Sequence, residues 1–365
     1  MTAKEKIASI LKKADIELNG SRPFDVKILD ERVYSRVLGG GTLAIGESFM
    51  DGWWHVEDLS ELVYRLYKAK IYQDLVAFDA WPLIIKGWLT NLQSRARAFA
   101  VGLQHYDLGN DLYQAMLDKR MVYTSAIWRG AHTLEEAQEQ KLEAICRKLG
   151  LKPGDRVLDI GCGWGSFMKY AAEKYQVSCV GLSVSTEQTK LGKELCAGLP
   201  IEFVVSDYRD YRPTEKFDHV VSIEMIEAVG PKNFRTFFQM VYDWLKPSGQ
   251  FALQAIGSLD VKPVPSLWLD KYIFPNGISP SLPQLEEASH DLFRFEHLEN
   301  IGPDYDKTLM EWWRRFHSSF QKLRENNPKY NERFYRMWKF YLQSCAGLFR
   351  AKEATDWQIV FSPIK

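Results

Sequence analysis

The sequence lacks the features that mark several large classes of protein. Its five cysteines form no CxxC pair and no cluster with metal-ligand spacing, and no apolar signal segment opens the chain. No apolar run approaches the roughly 20 residues that span a bilayer. Lys plus Arg and Asp plus Glu balance at 47 each, which gives no support for nucleic-acid binding. We therefore expect a cytoplasmic protein without a metal, whose contact with membranes is peripheral.

The length and the aromatic content of the chain indicate its domain number and the kind of ligand it suits. A chain of 365 residues suits one large domain and one small domain, and 46% hydrophobic residues supply ample material for a core. Aromatic residues make up 13% of the chain, including 12 Trp. This aromatic content suits a large apolar ligand or a membrane interface, and it equally suits a core rich in rings, so both interpretations stay open.

The most informative stretch is residues 157–166, with the sequence VLDIGCGWGS. A buried strand is followed by Gly161, Gly163 and Gly165 and then by residues with helical spacing. Strand, glycine turn and helix in this order make a ligand site at the carboxyl edge of an α/β sheet. The G-x-G-x-G spacing differs from the G-x-G-x-x-G of dinucleotide-binding proteins. It resembles instead motif I of class I S-adenosylmethionine (SAM) methyltransferases.

Beyond residue 105, short apolar segments alternate with helical ones, which predicts a doubly wound parallel sheet of the α/β class. The predicted strands are 156–160, 177–182, 201–205, 219–223 and 250–256, and the helices between them are 164–175, 185–196 and 231–245. Residues 258–300 interrupt this rhythm and are expected to cover the site. Two long helices, about 305–326 and 330–350, and a strand over 356–361 complete a catalytic domain spanning 105–365.

Residues 1–80 predict a small α+β domain. Its expected elements are a helix over 3–14, a strand over 24–29, a helix over 30–38, a break at the glycines 39–41 and a helix beginning near Leu59. Residues 81–104 predict a basic, aromatic linker helix. Such a helix can lie on a membrane surface or pack between two domains, and both alternatives remain.

Further stretches make the methyltransferase resemblance specific. They are 46–54 (GESFMDGWW), 104–113 (QHYDLGNDLY), 122–128 (VYTSAIW), 227–233 (EAVGPKN), 271–277 (KYIFPNG), 304–309 (DYDKTL) and 345–350 (CAGLFR). Nearly end to end, the chain resembles the bacterial cyclopropane-fatty-acyl-phospholipid synthase family, relatives of the mycolic acid cyclopropane synthases. The resemblance implies methylene transfer from SAM to the cis double bond of an unsaturated phospholipid acyl chain. It also implies a homodimer on the bilayer surface, with residues 1–80 as the lipid-docking and dimer-contact module.

The same resemblance implies a set of cofactor-binding residues around the glycine turn. The candidates are Tyr123, Thr124, Asp159, Gly161, Cys162, Gly163, Gly165, Ser183, Val184, Gln188, Asp207 and Tyr208. Ser183 and Gln188 stand where most class I methyltransferases carry an acidic residue, and both can hydrogen-bond the ribose hydroxyls without charge. Asp207 is expected at the adenine amino group and Tyr208 on the adenine ring, whereas Cys162 is interpreted as a small space-filler.

The catalytic residues depart from the family pattern in an informative way. In this family the base is thought to be a bicarbonate held by a cysteine, a glutamate, a histidine and a tyrosine. Glu227 and Tyr305 match two of these, but Ser125 replaces the cysteine and Gln254 the histidine, while Glu224 stands where glycine is common. One hypothesis is that the Glu224 carboxylate takes the place of bicarbonate. The alternative keeps bicarbonate, with Ser125 and Gln254 donating hydrogen bonds to it.

Other roles and functions stay open. Cys345 lies in a stretch discussed as catalytic in the family, but no nearby base is visible, so a packing role is favoured. The product of a related lipid methyltransferase would carry a methyl or methylene branch instead of a ring, and an amine N-methyltransferase shares the catalytic fold. A lipid-binding protein that has lost catalysis is disfavoured by the intact glycine turn together with Glu227 and Tyr305.

Overall fold

The structure is a computed structural model, and it describes residues 1–71, 109–258 and 266–364. Among these residues the chain forms two compact units. The first unit comprises 1–71, 266–275 and 305–354, and the second comprises 109–258, 276–304 and 355–364. The predicted linker helix over 81–104 lies outside the described residues. The two long helices after residue 305 belong to the first unit, together with the N-terminal residues. The sequence predicts them as part of the catalytic domain.

The described elements alternate along most of the chain. The helices are α1 (Ala3–Lys13), α2 (Val33–Met50), α3 (Leu59–Lys68), α4 (Asn110–Met116), α5 (Leu134–Leu149), α6 (Ser166–Tyr175), α7 (Thr186–Leu195), α8 (Phe234–Trp244), α9 (Leu267–Tyr272), α10 (Leu282–Ser289), α11 (Tyr305–Asn326) and α12 (Glu332–Arg350). The strands are β1 (Lys27–Ile28), β2 (Trp54–His55), β3 (Arg156–Ile160), β4 (Ser178–Ser183), β5 (Ile201–Val205), β6 (Phe217–Ile223), β7 (Leu245–Ser258), β8 (Phe293–Asn300) and β9 (Ala354–Pro363).

The second unit is built on a seven-stranded sheet with the order β5-β4-β3-β6-β7-β9-β8. The β3 strand pairs in parallel with β4 on one side and β6 on the other, and the pairs β4–β5 and β6–β7 are also parallel. The last pair, β8–β9, is antiparallel. The chain thus moves outward from β3 first to one side and then to the other, which opens a crevice at the carboxyl ends of the strands. The predicted doubly wound α/β sheet is confirmed.

Aromatic side chains fill the core on one face of this sheet. Phe237 and Phe238 of α8 are fully buried and meet Phe251 of β7 with ring centroids 6.0 and 5.9 Å apart. Phe361 of β9 stacks on Phe251 at 5.5 Å. Each fully buried ring of this kind contributes about 1.5–3 kcal/mol relative to an exposed one. This packing fixes the strand ends from which the site residues emerge.

The α5 helix is bounded by strong local signals and carries two polar residues inward. Thr133 caps its first turn, accepting the Glu136 N–H at 3.2 Å, and Gly150 ends it in the left-handed conformation at φ 61°. Gln138 and Lys141 lie on its buried face among leucines and alanine, and Lys141 is only 1% exposed. A buried lysine needs partners, so α5 brings a positive charge into the interior.

Two predictions for the N-terminal residues are wrong in extent. The sequence predicts a helix ending at residue 38, but α2 continues through two glycines and changes direction only at Gly41, with φ 48° and ψ −137°. Glycine costs helix stability without forbidding helix, so tertiary packing prevails until the left-handed residue. The predicted strand over 24–29 reduces to the two-residue β1, which pairs antiparallel with β2.

The sequence does not predict β8, which lies inside the interval 258–300. Of its eight residues only Phe293 is buried; Glu299 is half-buried and the other six are exposed. It forms the edge of the sheet, where charged side chains are tolerated and discourage pairing with other chains. A strand of this composition shows no apolar run, so hydrophobic pattern alone cannot find it.

Candidate active site

The glycine turn after β3 needs its glycines for two different reasons. Gly161, Gly163 and Gly165 have φ of 88°, 54° and 82°, a region that other residues rarely adopt. A Cβ on Gly161 would lie 2.6 Å from Met225 Cγ, and one on Gly165 would lie 2.5 Å from a buried phenyl ring. A Cβ on Gly163 would meet nothing closer than Gln188 Nε2 at 3.9 Å. Packing therefore demands two of the glycines, whereas Gly163 borders an open cradle that a ligand can approach.

The turn is anchored to the neighbouring strand. The N–H groups of Gly161 and Cys162 both donate to the Leu182 carbonyl, at 2.9 and 3.0 Å. The Cys162 sulfur fills space against Gly181, since a Cβ there would lie 2.7 Å from Sγ. Burial raises the pKa of the Cys162 thiol well above its usual range, so the thiol stays neutral. These contacts agree with a space-filling role for Cys162.

The residues after β4 form a capped helix start that faces the turn. Ser183 Oγ accepts the Ser185 N–H at 3.1 Å, and Ser185 Oγ accepts the Gln188 N–H at 3.2 Å as the cap of α7. Gln188 is buried, with its amide nitrogen directed toward Gly163. Val184 between them is half-buried. A polar, uncharged rim thus lies beside the open cradle, and its contact with the ribose hydroxyls stays a prediction.

The residues after β5 have partners within the protein. The Asp207 carboxylate accepts the Arg209 backbone N–H at 2.9 Å and the guanidinium Nε at 2.8 Å and Nη2 at 2.6 Å. The Tyr208 ring is buried and packs edge-on against Phe237 at 5.4 Å. An adenine at this position would share the Asp207 carboxylate with Arg209. The adenine contacts of these two residues stay predictions.

A group of rings joins the glycine turn to the segment after α4. Tyr113 packs against Tyr123 and against Trp164, with ring centroids 5.1 Å apart in both pairs. The Trp164 indole donates to Asn110 Oδ1 at 3.0 Å. Tyr113, Trp164 and Asn110 are not among the site residues predicted from the sequence, although the 104–113 stretch and the tryptophan inside the turn both point to them. They hold Tyr123, a candidate cofactor contact, beside the turn.

Glu224 occupies a strained position at the carboxyl end of β6. Its φ is 48°, a left-handed conformation that costs a non-glycine residue about 1–3 kcal/mol. Ile223 lies opposite Gln254 in the β6–β7 register, which brings Glu224 next to Gln254. Glu224 Oε1 accepts the Ser125 main-chain N–H at 2.7 Å and Gln254 Nε2 at 2.8 Å. The structure thus joins the three departures from the family pattern in one hydrogen-bonded group.

Glu227 follows in a short 3-10 turn and has a different environment. Its Oε1 accepts the Ile256 N–H at 2.6 Å, and its buried Oε2 has no hydrogen-bond partner among the described residues. Burial, and then the nearby Glu224, raise the pKa of Glu227 to about 8. At neutral pH the Glu227 carboxyl is therefore predominantly protonated. Its Oε2 is available to hydrogen-bond a ligand.

The Gln254 amide belongs to a longer chain of hydrogen-bonded polar side chains that the sequence does not predict. Gln254 Nε2 also donates to Asp356 Oδ2 at 2.9 Å, and its Oε1 accepts Gln358 Nε2 at 3.0 Å. Gln358 Oε1 accepts Lys148 Nζ. Asp356 and Gln358 lie two residues apart in the buried strand β9, so both face one side of the sheet. Two polar residues at period two in a buried strand are the signal that could have found them.

Lys141 supplies the positive charge near these carboxyl groups. Its Nζ donates to Thr124 Oγ1 at 2.7 Å, and Gln138 Nε2 donates to the Thr124 carbonyl at 2.9 Å. Burial lowers the pKa of Lys141 to about 8, an effect opposed first by the charge of Glu224. Burial also raises the pKa of Asp159, at the end of β3, to about 7. The interior behind the cradle is thus a set of titratable groups, as at many catalytic sites.

The sequence matches the family described as mycolic acid cyclopropane synthetase over residues 93–359. It is 46% identical to the cyclopropane-fatty-acyl-phospholipid synthase of Escherichia coli strain K12, over 97% of this chain and 91% of that protein. The chain belongs to the mycolic acid cyclopropane synthetase family. Membership confirms the resemblance inferred from the motifs.

Two more distant relatives complete the comparison. A sphingolipid C9-methyltransferase 2 from Gibberella zeae is 36% identical and covers 70% of this chain and 51% of that protein. The mycolic acid cyclopropane synthase CmaA1, solved in complex with SAH and CTAB, superimposes with a TM-score of 0.65. It is 30% identical and covers 72% of this chain and 97% of its own. The predicted class I methyltransferase fold, the enzyme class and the SAM cofactor are confirmed for this member of the family.

Two predicted catalytic residues lie in the first unit. Tyr305 begins α11, and its ring packs on Phe349 with centroids 4.5 Å apart. Cys345 is half-buried on α12, and burial raises the pKa of its thiol to about 12. A thiol that stays protonated at neutral pH is a poor nucleophile, which supports packing over catalysis. The catalytic role of Tyr305 stays a prediction from the family resemblance.

Within the described part of the chain, no helix combines the length and apolarity needed to cross a bilayer.

Proposed function

We propose that this family member transfers a methylene carbon from SAM to the cis double bond of an unsaturated phospholipid acyl chain and closes a cyclopropane ring. Ring closure requires removal of a proton from the newly added methyl group. The observation that carries the proposal is the hydrogen-bonded Glu224 carboxylate at the carboxyl edge of the sheet. The next residue, Met225, packs against Gly161 of the glycine turn.

The residues around the turn fit a SAM molecule. Gly163 borders an open cradle, Ser183 and Gln188 provide an uncharged polar rim, and Tyr123 presents a ring held by Tyr113. When bound, SAM supplies an electrophilic methyl carbon. The task of these residues is to hold the donor with its methyl group in line with the double bond, and such positioning supplies much of the rate.

Glu224 is the proposed base. When the ring closes, a C–H bond of the new methyl breaks, its electron pair forms the second C–C bond of the ring, and the proton moves to Glu224. Two N–H donors, from Ser125 and Gln254, hold Oε1, so the carboxylate is oriented before the reaction begins. The protonated state of Glu227 leaves Glu224 as the anion of this pair.

The arrangement does not fit a bicarbonate ion in the same place. The two N–H groups that would bind an oxygen of such an anion already donate to Glu224 Oε1. A second anion would also face the Glu224 charge at short range, which is unfavourable in a poorly solvated site. We therefore favour the hypothesis in which Glu224 replaces bicarbonate over the one that retains it.

We also propose that residues 1–80 dock on the bilayer and form the contact of a homodimer. The exposed Arg32 and the partly exposed Arg36 both lie over the Trp53 ring, at 4.7 and 4.6 Å from its centroid. Paired cationic and aromatic side chains suit the interface of an anionic membrane. Flotation with anionic and neutral vesicles tests docking, and light scattering of the purified protein tests dimerisation.

The decisive assay combines the enzyme, SAM and vesicles of a phospholipid with cis-monounsaturated chains. Mass spectrometry should show acyl chains that gain one CH₂, and proton NMR should show the upfield ring protons of a cyclopropane. A branched chain would instead favour the second candidate, a branch-forming lipid methyltransferase. The similarity to the fungal sphingolipid C9-methyltransferase supports this candidate. Unchanged lipids in the presence of bound SAM would contradict both.

A further inference from the structure

Asp356 on β9 is a buried carboxyl group to which the proposed reaction assigns no role. It is completely inaccessible to solvent. Its Oδ2 accepts one hydrogen of the Gln254 amide at 2.9 Å, and the same nitrogen donates to Glu224 Oε1 at 2.8 Å. Its Oδ1 accepts no N–H or O–H from another described residue. Glu224 and Asp356 are therefore joined through a single amide group.

The direction of this amide is fixed from its far end. Lys148 can only donate, so the oxygen of Gln358 must face it, and the Gln358 nitrogen then faces the oxygen of Gln254 at 3.0 Å. The Gln254 nitrogen is left to face the two carboxyl groups. Both of its hydrogens are used, one on each carboxyl group.

Glu224 and Asp356 differ in what stabilises a charge on each of them. Glu224 Oε1 accepts N–H groups from both Ser125 and Gln254, whereas Asp356 accepts only the Gln254 N–H among the described residues. Burial and the charges of Glu224 and Glu227 raise the pKa of Asp356 well above its usual range. The proton therefore resides on Asp356, and the charge resides on Glu224.

We propose that Asp356 is a positioning residue that acts in its neutral form, holding with its carbonyl oxygen the Gln254 amide that in turn holds the Glu224 carboxylate. The proposal rests on Glu224 as the base. In this arrangement the Ser125 N–H and the Gln254 N–H restrain the base, and Asp356 keeps the Gln254 N–H in place. Loss of the Asp356 contact lets the Gln254 amide turn, and the carboxylate can then rotate away from the substrate.

Two substitutions of similar size test the proposal. Asp356→Asn keeps a neutral side chain with a carbonyl oxygen for the Gln254 amide, so it should keep kcat close to that of the wild type. Asp356→Leu removes this contact and should lower kcat roughly 100-fold, the cost of misplacing a reacting group by about 1 Å. The SAM dissociation constant should be unchanged in both variants. Thr355→Val, on the neighbouring position of β9, is the matched control and should leave kcat unchanged.

The contrast between the variants separates positioning from a merely structural role. A structural role would lower the melting temperature of Asp356→Leu without a selective loss of kcat. Wild-type kcat in Asp356→Leu would overturn the proposal, as would a folded, SAM-binding Asp356→Asn with strongly reduced kcat. If Asp356→Leu does not fold, the activity of Asp356→Asn alone decides between these results. A wild-type enzyme that makes no ring would instead refute the proposed function, so the two failures are distinguishable.

Discussion

The main-chain N–H of Ser125 donates to Oε1 of Glu224 at 2.7 Å, although the residues lie 99 positions apart in the chain. This contact ties the segment after α4 to the end of β6. It also uses a backbone donor that would otherwise be available to a bound anion. A glycine at position 224, as the family resemblance leads us to expect, could not make this contact, because it has no carboxylate. The contact therefore supports the proposal that Glu224 takes the place of an external anion.

Restoring the family pattern should restore dependence on bicarbonate. The triple variant Ser125→Cys, Glu224→Gly and Gln254→His lacks the Glu224 carboxylate. Its glycine at φ 48° also relieves the backbone strain. We expect little ring formation without bicarbonate and a clear increase when it is added. Steady-state assays in carbon dioxide-free buffer, with and without bicarbonate, measure this. A triple variant as indifferent to bicarbonate as the wild type would contradict the interpretation.

Glu227 should make the protein less stable as pH rises. Its folded-state pKa is raised from 4.5 to about 8, so the folded state holds a proton that the unfolded state releases between these values. Its contribution to stability is therefore present below pH 4.5 and is lost progressively up to about pH 8. Glu227→Gln should remove this penalty and gain stability relative to the wild type as pH rises.

The size of the Glu227 effect follows from about 1.4 kcal/mol per unit of pKa shift, which gives a gain of a few kcal/mol above about pH 8. Urea denaturation of both proteins at about pH 5 and about pH 9 measures the difference, using the linear extrapolation of unfolding free energy. An exposed glutamate, Glu202, provides the control, because Glu202→Gln makes the same change of side chain at a solvent-accessible position. A constant difference between wild type and Glu227→Gln across this pH range would show that Glu227 ionises normally.

The glycines of the turn should respond differently to alanine. At Gly163 the new methyl group enters the open cradle, so Gly163→Ala should fold and lose affinity for SAM. At Gly165 it meets a phenyl ring at 2.5 Å, so Gly165→Ala should lose stability first. Both carry a backbone penalty of about 1–2 kcal/mol for a left-handed residue. Calorimetric titration with SAM and thermal melting separate the effects. Equal SAM affinity in Gly163→Ala and wild type would place the cofactor elsewhere.

Cys345 should be dispensable for chemistry. Because burial holds the thiol pKa near 12, almost none is ionised at neutral pH. Cys345→Ala should keep kcat and lose about 1 kcal/mol or less of stability, since a half-buried sulfur is removed. Initial rates and urea midpoints measure the two quantities. A large fall in kcat with unchanged SAM affinity would return Cys345 to the list of catalytic residues.

The sequence predicts the central sheet well because its strands are short, apolar and regularly spaced. The predicted strands 156–160 and 201–205 coincide with β3 and β5, and the long helix over 305–326 coincides with α11. The glycine turn could be predicted because positive φ leaves few choices of residue. By contrast, β8 has no apolar run, and α2 runs through glycines that usually end a helix.

Site residues could be predicted where a sequence motif includes them or borders them. They could not be predicted where only the folded chain brings them next to the site. Ser125, Glu224 and Gln254 could be selected because each stands where the family pattern has another residue. Asp356 reaches Gln254 across 102 positions, through a contact between adjacent strands of the sheet that no local pattern encodes. Lys141 is similar, because only the docking of α5 turns a lysine on an amphipathic helix into a buried charge.

The most direct test of the account is ring formation by the wild type and by Glu224→Gln, each with bicarbonate removed and then added. The substitution keeps the shape of the side chain and removes its basicity, which should lower ring formation by roughly 10²–10⁴-fold, the usual contribution of a general base. The SAM dissociation constant should be unchanged, and Glu202→Gln should behave as the wild type. The account predicts a wild-type enzyme that keeps full activity without bicarbonate and a variant that bicarbonate does not rescue. A wild type that depends strongly on bicarbonate, or a fully active Glu224→Gln, would contradict it.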